Sequence, residues 1–255
     1  MLQDMDQAST SLPALAIVTG GSRGLGLAMA KQLSAQGHQV LSLARQHSAE
    51  LPGSVEQWRA DLQEPLAVAE RLRAWLASQD PRRFSAAWLI NNAGVVSTPA
   101  PLSHGDLAEL SRAIRVGLEA ALLLSSAFLG ATEAWPLPRK LLLISSGLGR
   151  RAMAGSASYC AAKAGLDHLA RALALEEAAK GRGAKVVSLA PGVFDTDMQV
   201  QLRSADPQLF PERETFLKMK TSGALDAPAA AAAKVLGYLA RADFGDKAVA
   251  DVRDP

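Results

Sequence analysis

The stretch Thr19-Gly20-Gly21-Ser22-Arg23-Gly24-Leu25-Gly26 decides the fold of this chain. It follows the apolar run 15–18, a candidate buried strand, and opens a segment, 24–36, whose apolar residues recur at helical spacing. The glycines allow a tight turn and close approach of a ligand to the backbone, and a helix N-terminus directs free N–H groups at a diphosphate. A glycine-rich turn between strand and helix predicts a dinucleotide-binding loop, with a turn needed only for packing as the alternative.

The rest of the chain repeats this alternation of short apolar runs and longer helical segments. Apolar runs without polar alternation, separated by helices, indicate a parallel sheet covered on both faces. We therefore predict the α/β class, with one domain over residues 1–255 and a doubly wound, mostly parallel sheet. Segment 195–223 is polar, contains two prolines and follows a predicted strand, so we expect a substrate lid there. The expected strands are 15–18, 39–44, 57–60, 87–90, 140–145, 184–189 and 248–252, and the expected helices are 24–36, 65–78, 104–131, 156–180 and 227–241.

Composition excludes several classes of protein. Hydrophobic residues make up 49% of the chain and charged residues 20%, which is typical of a folded globular protein. Lys+Arg (27) nearly balance Asp+Glu (25), so no basic footprint for nucleic acid is present. The single cysteine, Cys160, and the four scattered histidines offer no metal-ligand spacing, and the low cysteine usage fits a reducing compartment. The N-terminus lacks a signal-peptide pattern, and the apolar stretch 120–132 is shorter than the roughly 20 residues of a membrane span. We expect a cytoplasmic protein without metal, nucleic-acid or membrane partners.

The second predicted strand bears on the choice of dinucleotide. Binders of NAD place an acidic residue about 20 residues after the glycine loop, where it holds the ribose 2′-hydroxyl. Here the strand ends Ser42-Leu43-Ala44-Arg45, and no acidic residue follows until Glu50. Arg45 and Arg23 could instead bind a 2′-phosphate through guanidinium groups, which predicts NADP(H). The alternative is that Arg45 is a solvated surface residue.

Two further strand ends carry polar residues. Asp61, after the third predicted strand, could accept a hydrogen bond from the adenine amine. Asn91 and Asn92 follow the fourth strand, where Asn91 could hold the cofactor edge or brace the central strands. Ala93 and Gly94 are small enough for close approach to a flat ligand.

A third group of residues predicts catalysis. Ser146 follows the fifth strand, and Tyr159 and Lys163 share one helix face at spacing i, i+4. We expect the ammonium of Lys163 to lower the pKa of the Tyr159 phenol, so that the phenol serves as a general acid. Ser146 could donate a hydrogen bond to the same carbonyl oxygen. The alternatives are a capping serine and an ordinary surface Tyr–Lys pair.

The chain combines residues 19–26 and 91–94 with Ser146, Tyr159 and Lys163, and with Pro191-Gly192 and Thr196. On these features it resembles the short-chain dehydrogenase/reductase family over almost its whole length. The resemblance implies a single Rossmann domain and hydride transfer to or from C4 of the nicotinamide. It implies that Tyr159 gives the proton, that Lys163 tunes it and binds ribose, and that Ser146 orients the carbonyl. Thr196 would contact the carboxamide end of the cofactor. The cofactor-binding residues expected on this basis are Gly20, Ser22, Arg23, Gly24, Leu25, Gly26, Arg45, Asp61, Leu62, Asn92, Ala93, Gly94, Tyr159, Lys163, Pro191, Gly192, Val193 and Thr196.

A narrower resemblance is to the sepiapterin reductases and bacterial benzil reductases, on segments 42–45, 159–163, 172–176 and 195–198 and the tail around Asp251. It implies an NADPH-dependent reductase of a small carbonyl substrate, with Ser146, Tyr159 and Asp251 at the substrate. Asp251 resembles the carboxylate that anchors the pterin, although a tail aspartate can simply be solvated. The alternatives are a dehydrogenase or reductase of another alcohol or of a 3-oxoacyl group, and a non-catalytic NADP(H)-binding regulator. The last is favoured only by Gly117, which stands where many family members carry an Asn that supports a proton-relay water.

The two longest predicted helices also indicate self-association. Segments 120–129 and 161–175 are rich in Ala and Leu on more than one face, whereas a sheet can bury only one stripe of each helix. A second apolar face in water would be an unusually large exposed patch. We therefore expect a homodimer or homotetramer, unless other parts of the same chain cover these faces.

Overall fold

The computed structural model describes residues 12–223 and 225–254, and these form one seven-stranded sheet in the order β3-β2-β1-β4-β5-β6-β7. All six strand pairs are parallel, so the predicted doubly wound α/β domain is confirmed. Every residue of β1 is buried, because helices cover both faces of the sheet. The strands are β1 Ala14–Thr19, β2 Gln39–Ala44, β3 Glu56–Arg59, β4 Ala86–Asn91, β5 Arg139–Ile144, β6 Lys185–Ala190 and β7 Val249–Asp251.

The helices divide between the two faces of the sheet. Helices α1 and α8 pack on one face through residues such as Met29 and Val235. Helices α2, α4 and α5 pack on the other through residues such as Leu72, Phe128 and Leu166. The helices are α1 Gly24–Ala35, α2 Pro65–Ala77, α3 Leu107–Ile114, α4 Ala120–Ala131, α5 Ala157–Ala178, α6 Asp197–Arg203, α7 Arg213–Thr221 and α8 Pro228–Ala240.

The helix expected over 104–131 is not uniform. A π-helical turn, Arg115–Glu119, separates α3 from α4 and contains Gly117. A Cβ at position 117 would lie 3.2 Å from the Cβ of Ala162 on α5, so the glycine lets the turn pack closely beside Lys163. By length and composition alone the continuous stretch Leu107–Ala131 could cross a membrane, but half of its most apolar window is buried within the protein. Packing on the sheet therefore explains its apolar composition.

Segment 195–223, where the sequence shows no clear period, contains α6 and α7. The rings of Phe210 and Phe216 stack at 5.9 Å between centroids. With Met153 and Leu202 they form a small apolar cluster apart from the two main cores. This cluster attaches the segment to the carboxyl edge of the sheet, beside the functional site.

Candidate active site

A cleft of about 1310 Å³ runs along the carboxyl ends of the parallel strands. In doubly wound sheets this edge is where ligands bind, at the point where the strand order reverses between β1 and β4. Every residue that the sequence predicted for the site lines this one cleft: Gly20, Ser22, Arg23, Gly24, Leu25, Gly26, Arg45, Asp61, Leu62, Asn92, Ala93, Gly94, Ser146, Tyr159, Lys163, Pro191, Gly192, Val193, Thr196 and Asp251.

The glycine loop between β1 and α1 has the geometry expected of a phosphate cradle. Gly20 and Gly24 adopt φ of +70° and +56°, in the left-handed region that favours glycine. A Cβ on Gly26 would collide with the carbonyl oxygen of Gly20, so the first helical turn sits directly against the loop. The backbone therefore leaves room at the N-terminus of α1 for a diphosphate, and the residues present fit a dinucleotide cofactor.

Hydrogen bonds between β1 and β4 hold the base of this loop. Thr19 Oγ1 accepts hydrogen bonds from the backbone N–H groups of Asn92 and Ala93, both at 2.9 Å. The Asn92 side chain donates to the Thr19 carbonyl at 2.9 Å. Asn91 is buried and donates to Ser125 Oγ at 3.0 Å, which ties β4 to α4. Of the two roles open for Asn91, the structure supports bracing.

The two arginines expected at a 2′-phosphate are in different states. Arg45 is exposed at the end of β2 and makes no hydrogen bond or ion pair with residues 12–223 or 225–254. Arg23 instead donates to Asp197 Oδ2 at 2.7 Å, and both side chains are mostly exposed. This pair connects the glycine loop to the start of α6. Of these two arginines, Arg45 is therefore the one available to an anion without breaking an existing pair.

Ser146, Tyr159 and Lys163 meet where β5 and α5 adjoin the cleft. Ser146 caps the short turn Gly147–Gly149, and its Oγ accepts from the Leu148 N–H at 3.2 Å. Lys163 is buried, and its Nζ donates to the Ile144 carbonyl at 2.7 Å. The same Nζ lies 5.5 Å from the centroid of the Tyr159 ring. Two possible proton donors and one ammonium thus line the part of the cleft that adjoins β5.

The pKa of Tyr159 differs from the expectation. Burial raises the pKa of its phenol to about 12, against an opposing hydrogen bond with Ser146, whereas the sequence predicted a lowered value. The expectation was wrong for the protein alone because burial disfavours the phenolate. The Lys163 ammonium lies over the tyrosine ring and donates its hydrogen bond to the Ile144 carbonyl. Burial also lowers the pKa of Lys163 to about 8, opposed by the charge of Asp167.

Asp251 is buried rather than solvated. It lies on β7 opposite Ala190, lines the cleft, and is 7% exposed. Arg253 donates to its two carboxylate oxygens at 2.7 and 2.6 Å. This charge-assisted pair holds the pKa of Asp251 below its usual value. Sequence reasoning identified the carboxylate but missed its arginine, which is two residues further along the chain.

Sequence reasoning expected a substrate lid over 195–223 but did not name the apolar residues that this segment adds to the cleft. Segment 195–223 contributes Met198, Leu202, Phe216 and Met219 to the lining, and Leu148 faces the same cleft. No local pattern marks these residues, because only the folding of α6 and α7 over the strand ends brings them there. Among the described residues no cluster of three or more His, Cys, Asp or Glu side chains could hold a metal ion.

Comparison with known proteins agrees with this geometry. The sequence profile of the family described as short chain dehydrogenase matches residues 14–207. A benzil reductase ((S)-benzoin forming) of Bacillus cereus is 32% identical over 235 residues, covering 89% of this chain and 94% of the relative. The sepiapterin reductase of Rattus norvegicus is 34% identical over 260 residues, covering 94% and 97%. The crystal structure of a short-chain dehydrogenase/reductase from Burkholderia vietnamiensis is similar with a TM-score of 0.61 and 34% identity, covering 95% of this chain and 99% of that one.

Proposed function

The chain belongs to the short-chain dehydrogenase family, and on that premise we propose that it is an NADPH-dependent carbonyl reductase acting on a ketone, a diketone or a pterin side chain. The observation that carries the proposal is that Ser146, Tyr159 and Lys163 line the same cleft as the glycine loop. The two relatives are named for the reduction of benzil and of sepiapterin, both carbonyl compounds.

The chemistry of the chain's own residues follows from their geometry. A bound nicotinamide would supply a hydride to the carbonyl carbon. The Ser146 hydroxyl would donate a hydrogen bond to the carbonyl oxygen and so polarise the C=O bond of the substrate. Because the pKa of Tyr159 is about 12 in the protein alone, its phenol carries a proton at neutral pH and can deliver it to that oxygen. The Lys163 ammonium beside the ring stabilises the phenolate that remains.

Two features of the cleft favour an apolar, uncharged substrate. Met198, Phe216 and Met219 provide a flexible, apolar wall that can fit aromatic groups. The charge of Asp251 is largely compensated by Arg253. Such a site suits a neutral diketone. The Asp251 carboxylate in the lining also makes the site compatible with a pterin.

Preference for NADPH rests on Arg45. Its guanidinium stands at the cleft at the end of β2, where family members that use NAD have an acidic residue. A 2′-phosphate would gain a charge-assisted hydrogen bond there, which a 2′-hydroxyl cannot match.

The proposal includes a homo-oligomer in the cytoplasm. Leu107 and Leu175 are 81% and 76% exposed on α3 and α5, and Leu122 on α4 is 45% exposed. A second, open cavity of about 600 Å³ lies between α3 and the start of α5, lined by Leu110, Ile114 and other residues. A second copy of the chain would cover these apolar groups in a closed dimer or tetramer.

The experiment is NADPH oxidation by the purified protein with a substrate panel of benzil, a linear diketone, sepiapterin and a 3-oxoacyl thioester. Turnover of a diketone or the pterin well above that of the thioester supports the proposal. Preferential turnover of the thioester would favour the 3-oxoacyl alternative. NADPH binding without turnover of any carbonyl would indicate the non-catalytic regulator.

A further inference from the structure

A buried carboxylate lies directly behind the proposed catalytic residues. Asp167 is on α5, one helical turn after Lys163, and is 1% exposed. Its Oδ1 accepts a hydrogen bond from Ser188 Oγ of β6 at 2.7 Å, and its Oδ2 accepts one from Arg150 Nε at 3.3 Å. A buried carboxylate is costly unless it is paired and hydrogen-bonded, so both partners matter to this helix.

Arg150 extends the connection to the last strand. Its Nη2 donates to the Ala250 carbonyl at 2.6 Å, and its Nη1 lies 4.0 Å from Asp251 Oδ2. The planar guanidinium therefore contacts α5 and β7 at once in a fixed geometry that a lysine cannot reproduce. Arg150 does not line the cleft itself.

The turn that carries Ser146 is pressed against the same helix. Arg150 follows the turn Gly147–Gly149 directly, and Ser146 caps that turn. A Cβ on Gly149 would lie 2.9 Å from the Lys163 carbonyl oxygen and 3.0 Å from Asp167 Oδ2. The position of Ser146 relative to α5 thus depends on contacts made by the residues that follow it.

We propose that Arg150 and Asp167 are a positioning pair that sets the location of the Ser146 hydroxyl relative to Tyr159 and Lys163. The inference rests on the proposed reductase function. Neither residue touches the substrate; both act through the turn and the helix that they join. Since catalysis depends on the relative placement of reacting groups, loss of the pair lowers turnover more than cofactor binding.

The pair also has an electrostatic signature. The charge of Asp167 raises the pKa of Lys163 against the effect of burial. Arg150 compensates that charge from the turn, and Asp251 and Arg253 face Arg150 from the β7 side. Removing Arg150 should therefore raise the pKa of Lys163, whereas neutralising Asp167 should lower it.

The test compares Arg150→Ala, Asp167→Asn and the double variant, with Arg82→Ala as the matched control. Arg82 is an exposed arginine paired with Asp80 before β4, remote from the cleft. We expect Arg150→Ala to lower kcat by about 10- to 100-fold while the Kd for NADPH, measured by fluorescence, stays near the wild-type value. The pH profiles of kcat and of the Kd for NADPH should each show a transition near the Lys163 pKa of about 8. The pH of this transition should rise in Arg150→Ala and fall in Asp167→Asn.

If the two residues had only a structural role, the pH of this transition would shift in the same direction in both variants or stay in place in both. Either result overturns the inference. Arg150→Lys, which keeps the charge but not the planar fork, separates the two effects. We expect this variant to keep the pH transition of the wild type but to have a lower kcat. Melting temperatures verify that each variant is folded. If the wild type reduces no carbonyl, the proposed function fails; if it is active and Arg150→Ala is unchanged, only the positioning role fails.

Discussion

Lys163 Nζ lies 5.5 Å from the centroid of the Tyr159 ring while it donates to the backbone carbonyl of Ile144 at 2.7 Å. The i, i+4 spacing predicted that the two side chains share a face, and they do. The ammonium lies over the ring without a hydrogen bond to the hydroxyl, and burial is the largest influence on the pKa of the phenol. The pair therefore holds a protonated acid next to an ammonium.

Tyr159→Phe should abolish reduction and leave cofactor binding nearly intact. Phenylalanine keeps the ring beside Lys163 but has no proton to give, so we expect kcat to fall by about 100-fold or more. Steady-state NADPH oxidation measures the loss, and fluorescence titration measures the Kd for NADPH. Retention of most of the turnover would remove Tyr159 from the mechanism.

Arg45→Ala should weaken the binding of NADPH far more than the binding of NADH. Loss of a charge-assisted hydrogen bond to the 2′-phosphate corresponds to about 10- to 100-fold in the Kd for NADPH, and NADH lacks that group. The two Kd values are compared by fluorescence titration, with Arg73→Ala on the exposed surface of α2 as the control. Equal losses for both cofactors would mean that Arg45 is only solvated.

Leu122→Glu should lower the mass of the particle in sedimentation at low micromolar concentration. A charge on the exposed apolar face of α4 cannot be buried against a second copy without a large desolvation cost. Leu66→Glu is the matched control, because Leu66 is 60% exposed at the start of α2, outside segments 120–129 and 161–175 on which the expected interface lies. Leu169 is less suitable than Leu122, since it packs against the main core. A monomeric wild type would refute the oligomer.

Acidification should destabilise the protein partly through His38. Its Nδ1 accepts the Ala14 N–H at 3.2 Å, its ring meets Trp88 edge-on, and burial lowers its pKa below 6.5. The unfolded chain then binds the proton more readily, so this contribution is complete above the unfolded pKa and is lost as pH falls through the folded one.

The measurement is the melting temperature at pH 7.5 and 5.5 for the wild type, His38→Gln and the exposed-residue control His104→Gln. We expect the melting temperature of His38→Gln to fall less on acidification than the melting temperatures of the other two proteins. An identical drop in all three would show that His38 does not contribute to the pH dependence.

The sequence by itself determined the architecture and many of the residues that line the cleft. Strand and helix periods are local properties of the backbone, and the glycine loop requires φ values that only nearby glycines supply. The residues that follow the parallel strands necessarily meet at one edge. For this reason Gly26, Arg45 and Ser146 could be assigned to one cleft from the sequence, and the family resemblance added Thr196.

Only the tertiary structure decided the partners and charges within that cleft. Arg23 pairs with Asp197, 174 positions away, and Arg150 reaches Ala250, 100 positions away. The pKa of Tyr159 is set by how much protein surrounds it, which no spacing along the chain encodes. Long-range contacts and burial depend on how whole elements pack, so the sequence named the chemical groups while the packing determined which of them are paired, protonated or free.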